Sequence, residues 1–222
     1  MFTGFTDATV DFLWGIRFNN ERPWFEAHKE TYLSELYRPM KDLGAEIYDF
    51  LSERRPKDAM MCRVSRIYRD ARRLHGRGPY KDHLWFCVRA GGEDWTGRPT
   101  FYFEIGPDYY SYGMGFWAPK AALMEAYRKA VDEHPEVLEK LVKRFNKQAK
   151  FTLSGPEYAR KKTAPSPLLA AWYNKKSINL QHDAAPDERM FSQELAQDII
   201  EGFRTLMPLY KYFDALCAAE MV

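Results

Sequence analysis

Phe101–Phe116 reads F-Y-F-E-I-G-P-D-Y-Y-S-Y-G-M-G-F, and its periodicity decides the fold. Phe101, Phe103 and Ile105 alternate with Tyr102 and Glu104. After the Gly106-Pro107-Asp108 turn, Tyr110, Tyr112, Met114 and Phe116 alternate with Ser111, Gly113 and Gly115. Two runs of period two joined by a short turn predict an antiparallel hairpin. Upstream, beyond the turn-rich G-G-E-D-W-T-G-R-P, Leu84, Phe86 and Val88 alternate as well. Trp85 and Cys87 are also apolar, so this strand is expected to be covered on both faces. Further upstream the arginines of Cys62–Arg69 recur in steps of three, which drift around a helix and would not share a face. The β-branched and aromatic content there favours a strand, with Val64, Arg66, Tyr68 and Asp70 on one face and Arg63, Ser65, Ile67 and Arg69 on the other. Strands near 62–69, 84–90, 100–105 and 109–116 therefore form a central antiparallel sheet.

Helical patterning occupies both sides of these strands. Thr6 is placed to cap a first helix through Val10, Leu13 and Trp14, ending at Asn19-Asn20. Trp24, His28 and Tyr32 share a face of a second, Pro39 interrupts, and a third carries Leu43, Ile47, Phe50 and Leu51. After Pro119 come helices with Leu123, Tyr127 and Val131, then Leu138, Leu141, Val142 and Phe145. A last helix with Leu195, Ile199, Phe203 and Leu206 is expected to break at Pro208 before a short terminal one. Consecutive strands with helices at both chain ends make an α+β fold. With no repeat and no linker of separating length, 1–222 reads as a single domain.

The 222 residues hold 33 basic and 31 acidic side chains, a formal charge of +2, so a basic site must be local and a broad nucleic-acid surface is disfavoured. The 16% aromatic content with 6 Trp fits a packed protein. Three widely spaced cysteines, Cys62, Cys87 and Cys217, suggest neither a disulfide framework nor a metal site. The opening M-F-T-G-F-T-D lacks a signal-peptide pattern, and no apolar run reaches membrane-spanning length, so the expectation is a soluble cytoplasmic protein.

The chemical interest lies in Arg63–His83, R-V-S-R-I-Y-R-D-A-R-R-L-H-G-R-G-P-Y-K-D-H, which gathers Arg63, Arg66, Arg69, Arg72, Arg73, Arg77 and Lys81 around the early carboxylate Asp70. Such charge is costly to assemble unless other carboxylates or an anionic ligand neutralise it. As an anion site, Arg66, Arg69 and Lys81 would hold the ligand, Asp70 would orient the guanidiniums, and Tyr68 and Tyr80 would wall the pocket. Gly76 and Gly78 would let backbone approach the ligand, with Lys175 a further candidate cation. As architecture, the same arginines would pair with internal Asp and Glu.

Other patterns are weaker. The bare face of Ser111, Gly113 and Gly115 is either the floor of a cleft, with Glu104 as base, or the seat of a closely packed helix. The five histidines show no metal-ligand spacing, and no Walker A or nucleophile-elbow motif is present; no metal or cofactor is expected. Arg160, Lys161, Lys162, Lys175 and Lys176 interleave with Tyr158, Trp172 and Tyr173, which suits single-stranded nucleic acid or a solvated basic loop.

N-N-E-R-P-W-F (Asn19–Phe25), R-I-Y-R-D-A-R (Arg66–Arg72), G-P-Y-K (Gly78–Lys81) and Y-G-M-G-F-W (Tyr112–Trp117) occur in an order that resembles the bacterial and fungal family catalogued as domain of unknown function 2461. The likeness spans nearly the whole chain and implies a single-domain α+β protein, with no catalytic residues to carry over. The family pattern places a Phe and an acid–lysine step before P-Y-K. Here Arg73–Gly78 is more basic and lacks that acid, which would leave the cluster to another carboxylate or to a ligand. The leading expectation is an anion-binding protein, with an enzyme on a phosphorylated or carboxylated small molecule as one form that it could take. A nucleic-acid module and a protein-interaction domain without catalysis are the alternatives. The oligomeric state is open.

Overall fold

Six antiparallel strands form one sheet in the order β1-β2-β3-β4-β6-β5. They are β1 (Met60–Val64), β2 (Leu84–Ala90), β3 (Pro99–Ile105), β4 (Tyr110–Phe116), β5 (Thr152–Ser154) and β6 (Asn179–Ala184). The helices are α1 (Asp7–Phe18), α2 (Arg22–Ala27), α3 (Lys29–Thr31), α4 (Arg38–Arg54), α5 (Ala121–Glu133), α6 (Pro135–Phe145), α7 (Ala170–Tyr173) and α8 (Glu194–Ala219). The fold is α+β, seen in a computed structural model that describes residues 1–70, 72, 74, 76–91 and 97–219. Arg73, His75 and most of the G-G-E-D-W-T-G turn lie outside the described residues. The residues fall into two units: Met1–Val88 with Tyr102–Tyr112 and Asp183–Ile200, and Arg89–Phe101 with Gly113–His182 and Glu201–Val222.

In the first unit, α1 opens on the expected cap. Thr6 Oγ1 accepts the Thr9 N–H at 3.3 Å and Thr9 Oγ1 accepts the Thr6 N–H at 3.0 Å, so two N-terminal donors are satisfied reciprocally. Phe5 stacks on Phe103 of β3, Phe103 packs on Phe86 of β2 and on Tyr110, and α4 lies against β1. This buried layer is the even spacing of β2 and the odd spacing of β3 made physical. Pro39 does not stop the helical path. A π-helical segment, Tyr32–Tyr37, precedes it, with the Arg38 N–H reaching back to Leu33 O. The N–H that proline lacks thus falls where the hydrogen-bond ladder is already changing register.

In the second unit, α8 passes through Pro208 without the expected break. An interior proline costs a helix about 3 kcal/mol. Burial of large aromatics on both sides of it offsets that: Phe203 and Tyr210 pack on Phe101, and Phe213 meets Phe116 and Tyr127. The bare stripe of β4 is filled by neither a helix nor a cleft. A Cβ on Gly113 would lie 2.1 Å from Leu180 O, and one on Gly115 2.7 Å from Ile178 O, so these glycines admit the backbone of β6.

Candidate functional site

β1 is shorter than its sequence pattern, ending at Val64, yet the chain beyond it stays paired. The Ser65 N–H donates to Trp85 O at 2.8 Å and Ser65 Oγ accepts the Trp85 N–H at 3.2 Å. The Lys81 N–H then donates to Ile67 O at 2.7 Å, the Arg69 N–H to Pro79 O at 2.8 Å, and Tyr68 and Tyr80 form an antiparallel bridge. Residues 66–69 and 79–81 are therefore the two legs of a basic loop. Ile67 and Tyr80 are buried, while Arg66 and Tyr68 are exposed. Tyr80 stacks on Phe25 with ring centroids 4.3 Å apart, which makes it a core anchor rather than a wall open to a ligand.

The loop is fastened to the end of α1 by Asn20. Its Oδ1 accepts the Tyr80 N–H and its Nδ2 donates to Tyr80 O, both at 2.9 Å, so the side-chain amide pairs with one residue's backbone as a strand would. A Cβ on Gly78 would come within 2.2 Å of Asn20 Oδ1, so the glycine gives the amide its room.

Arg69 Nε donates to Tyr80 O at 2.6 Å and Nη2 lies 3.5 Å from Asp82 Oδ1. Asp82 is the carboxylate of the site. It also meets Arg17 Nε at 2.8 Å and His83 Nδ1 at 3.3 Å, and Arg17 reaches on to Asp108 at 3.3 Å. Burial is the largest single influence on the Asp82 carboxyl and works to raise it, but the hydrogen bonds from Arg17, the backbone and His83, with the Arg17 charge, together outweigh it and the group sits below the usual carboxylate range. Asp70 has a different local role: it holds Arg72, with Oδ2 2.7 Å from Nη2 and Oδ1 accepting the Arg72 N–H at 3.1 Å.

Lys81 differs from these cations. Among the described residues no carboxylate lies within 4.0 Å of its half-buried ammonium. Nζ sits 5.7 Å from the centroid of the Trp85 ring. Burial lowers the ammonium to about 8; the Glu104 charge opposes that fall, and Arg69 and Arg66 add to it. Arg66, exposed, makes no hydrogen bond or ion pair among the described residues. Glu104 accepts a hydrogen bond from Tyr109 OH, and burial, reinforced by that bond, holds the phenol well above its ordinary value. Arg66, Arg69, Tyr68, Tyr80, Lys81, Glu104 and Tyr109 all belong to the first unit.

Lys175 belongs to the second unit and is internally satisfied: Nζ donates to Gly155 O at 3.0 Å and lies 3.2 Å from Glu157 Oε1. Glu157 also pairs with Lys161 at 2.9 Å, so part of the second basic tract is neutralised locally. In the strand pattern, burial pushes the Cys62 thiol up to about 12, the state of an inert core cysteine. Among the described residues no group of three or more His, Cys, Asp or Glu side chains is arranged to hold a metal ion. No helix among them is long and apolar enough to cross a membrane.

An α+β chain that carries a clamped basic loop beside its sheet is the class that these features define. Residues 8–212 match the model of the family described as a conserved hypothetical protein, domain of unknown function 2461, and the chain belongs to that family. No curated protein matches it. Two of the motifs that carry the resemblance, N-N-E-R-P-W-F and G-P-Y-K, meet in space through Asn20, Gly78 and Tyr80.

Proposed function

We propose that this protein binds a small phosphorylated or carboxylated anion at the basic loop, with Lys81 and Arg66 as its main contacts and Arg69 as a braced third. The observation that carries this reading is the Lys81 ammonium: half-buried, acted on by the charges of Arg69 and Arg66, and without an ion-paired carboxylate among the described residues. A lysine serving only the architecture is expected to find a carboxylate, as Lys175 does with Glu157. An anion held by Lys81 and Arg66 would supply the missing counter-charge and favour the charged form of Lys81. Arg69, fixed through Tyr80 O and Asp82, would present a guanidinium already oriented, which lowers the ordering cost of binding. Asp82 and Arg17 support the loop and are not expected to touch the ligand.

Thermal unfolding with increasing inorganic phosphate at pH 7 tests this. Wild-type protein should gain about 4 °C once phosphate reaches some tens of its dissociation constant. Lys81→Met and Arg66→Ala should stay folded and lose most of that gain, while the exposed Arg63→Ala on β1 should keep it. Equal gains in all four proteins, or variants that no longer fold, would instead make the cluster architectural.

A further inference from the structure

The surroundings of Lys81 suit more than charge pairing. Its amine is half-buried, 5.7 Å from the centroid of the Trp85 ring, on the leg of the loop that Arg69 clamps through Tyr80 O, with no carboxylate within 4.0 Å of it among the described residues and with the Arg69 and Arg66 charges acting on it. A lysine that is desolvated and set beside other cations is in the environment that frees an amine lone pair for attack. We infer that Lys81 is the nucleophilic amine of the site and condenses with the carbonyl of a small oxo-anion, an aldehyde or ketone bearing a carboxylate or phosphate, which Arg66 and Arg69 hold. This rests on the anion-binding reading above and names the substrate class of that same site.

In the step, the neutral Nζ forms a bond to the carbonyl carbon while the C=O π pair moves onto oxygen. The proton lost from nitrogen goes to that oxygen and gives a carbinolamine. Loss of one water leaves the imine, and no atom is oxidised or reduced. Glu104, whose charge acts on Lys81 from beyond 4.0 Å and which holds the Tyr109 hydroxyl, would relay the proton through one water. At pH 8 about half of the Lys81 amines are neutral, against about 0.4% for an ordinary lysine. The braced Arg69 guanidinium and the exposed Arg66 add a local excess of anionic carbonyl compound over any isolated surface lysine.

The test is reductive trapping on the full chain at pH 8. Glyoxylate and pyridoxal 5′-phosphate are the anionic probes, propanal the uncharged control, cyanoborohydride the hydride source, and peptide mass mapping reads the labelled lysines. Lys81 should be labelled about tenfold faster than any other lysine by the anionic probes. Sulfate should suppress that labelling, and propanal should show no such preference. Lys81→Arg should lose the adduct. Labelling spread evenly over the lysines, or unaffected by sulfate, overturns the inference. If the phosphate gain persists without a Lys81 adduct, the reactive amine is refuted and the anion site stands; if both are absent, both readings fall.

Discussion

Lys81 and Asp82 are adjacent in sequence and oppositely treated by the fold. Asp82 gains three cationic or potentially cationic partners, Arg17, Arg69 and His83, and is held ionised. Lys81 is half-buried, with the Arg69 and Arg66 charges acting against it and Glu104 as partial relief, and burial lowers its ammonium to about 8. The sign of the resulting pH dependence is fixed. Between that value and the ordinary lysine value of about 10.4, the unfolded chain holds a proton that the folded chain has released, so this group's contribution to stability rises with pH. Below pH 8 the folded protein carries the full cost of the buried ammonium. Lys81→Met, which keeps the stem over Trp85 and removes the charge, should therefore raise the melting temperature at pH 6.5 by about 3 °C in buffer free of sulfate and phosphate. The gain should shrink at pH 9.5. A variant less stable than wild type at pH 6.5 would show that the ammonium is stabilised by the fold, against this account.

At the scale of elements, the site depends on a loop whose legs are not a regular strand. The alternation of Arg66, Ile67, Tyr68 and Arg69 was readable as extended backbone because period two and β-branched content survive there. What ends β1 early at Val64 is long-range: pairing passes to Trp85, then to Pro79 and Lys81, and Asn20 closes it from sixty residues away. No local pattern encodes such a partner. Asn20→Ala should cost about 2 kcal/mol through two lost hydrogen bonds to Tyr80. It should also speed amide exchange at Tyr80 and Lys81 by tenfold or more, read by hydrogen exchange; unchanged protection would mean that the Tyr68–Tyr80 bridge suffices. β6 illustrates the opposite limit of sequence reading. N-L-Q-H-D-A has one large apolar residue, and the strand is specified by the glycines of β4 and by pairing with β5, Leu153 opposite Leu180. Glycines thus signalled a close approach, and only the structure identified the strand that makes it.

Across the whole chain, the hydrophobic periods are the most legible layer: β2, β3 and β4 lie where alternation places them, and the family match over residues 8–212 follows the motif order. Charge is less legible, because a sequence shows which residues are basic and not which are neutralised. The second basic tract is partly paired through Glu157, and Asp70 turns to Arg72, while Asp82, next to Lys81 at the end of the loop, supplies a carboxylate that the Arg73–Gly78 sequence lacks. With a formal charge of +2, an anion has no whole-surface field to follow, and the proposed binding would draw its affinity from Lys81, Arg66 and Arg69 against the opposing Glu104. Sulfate, whose charge is constant over the range, probes this directly by titration calorimetry from pH 6.5 to 10. Its affinity for the wild-type protein should be level to about pH 7.5 and then fall about tenfold or more with a midpoint near 8, while Lys81→Arg binds with no such fall. A level profile in the wild type, or an identical fall in Lys81→Arg, would contradict an anion site built on the Lys81 ammonium.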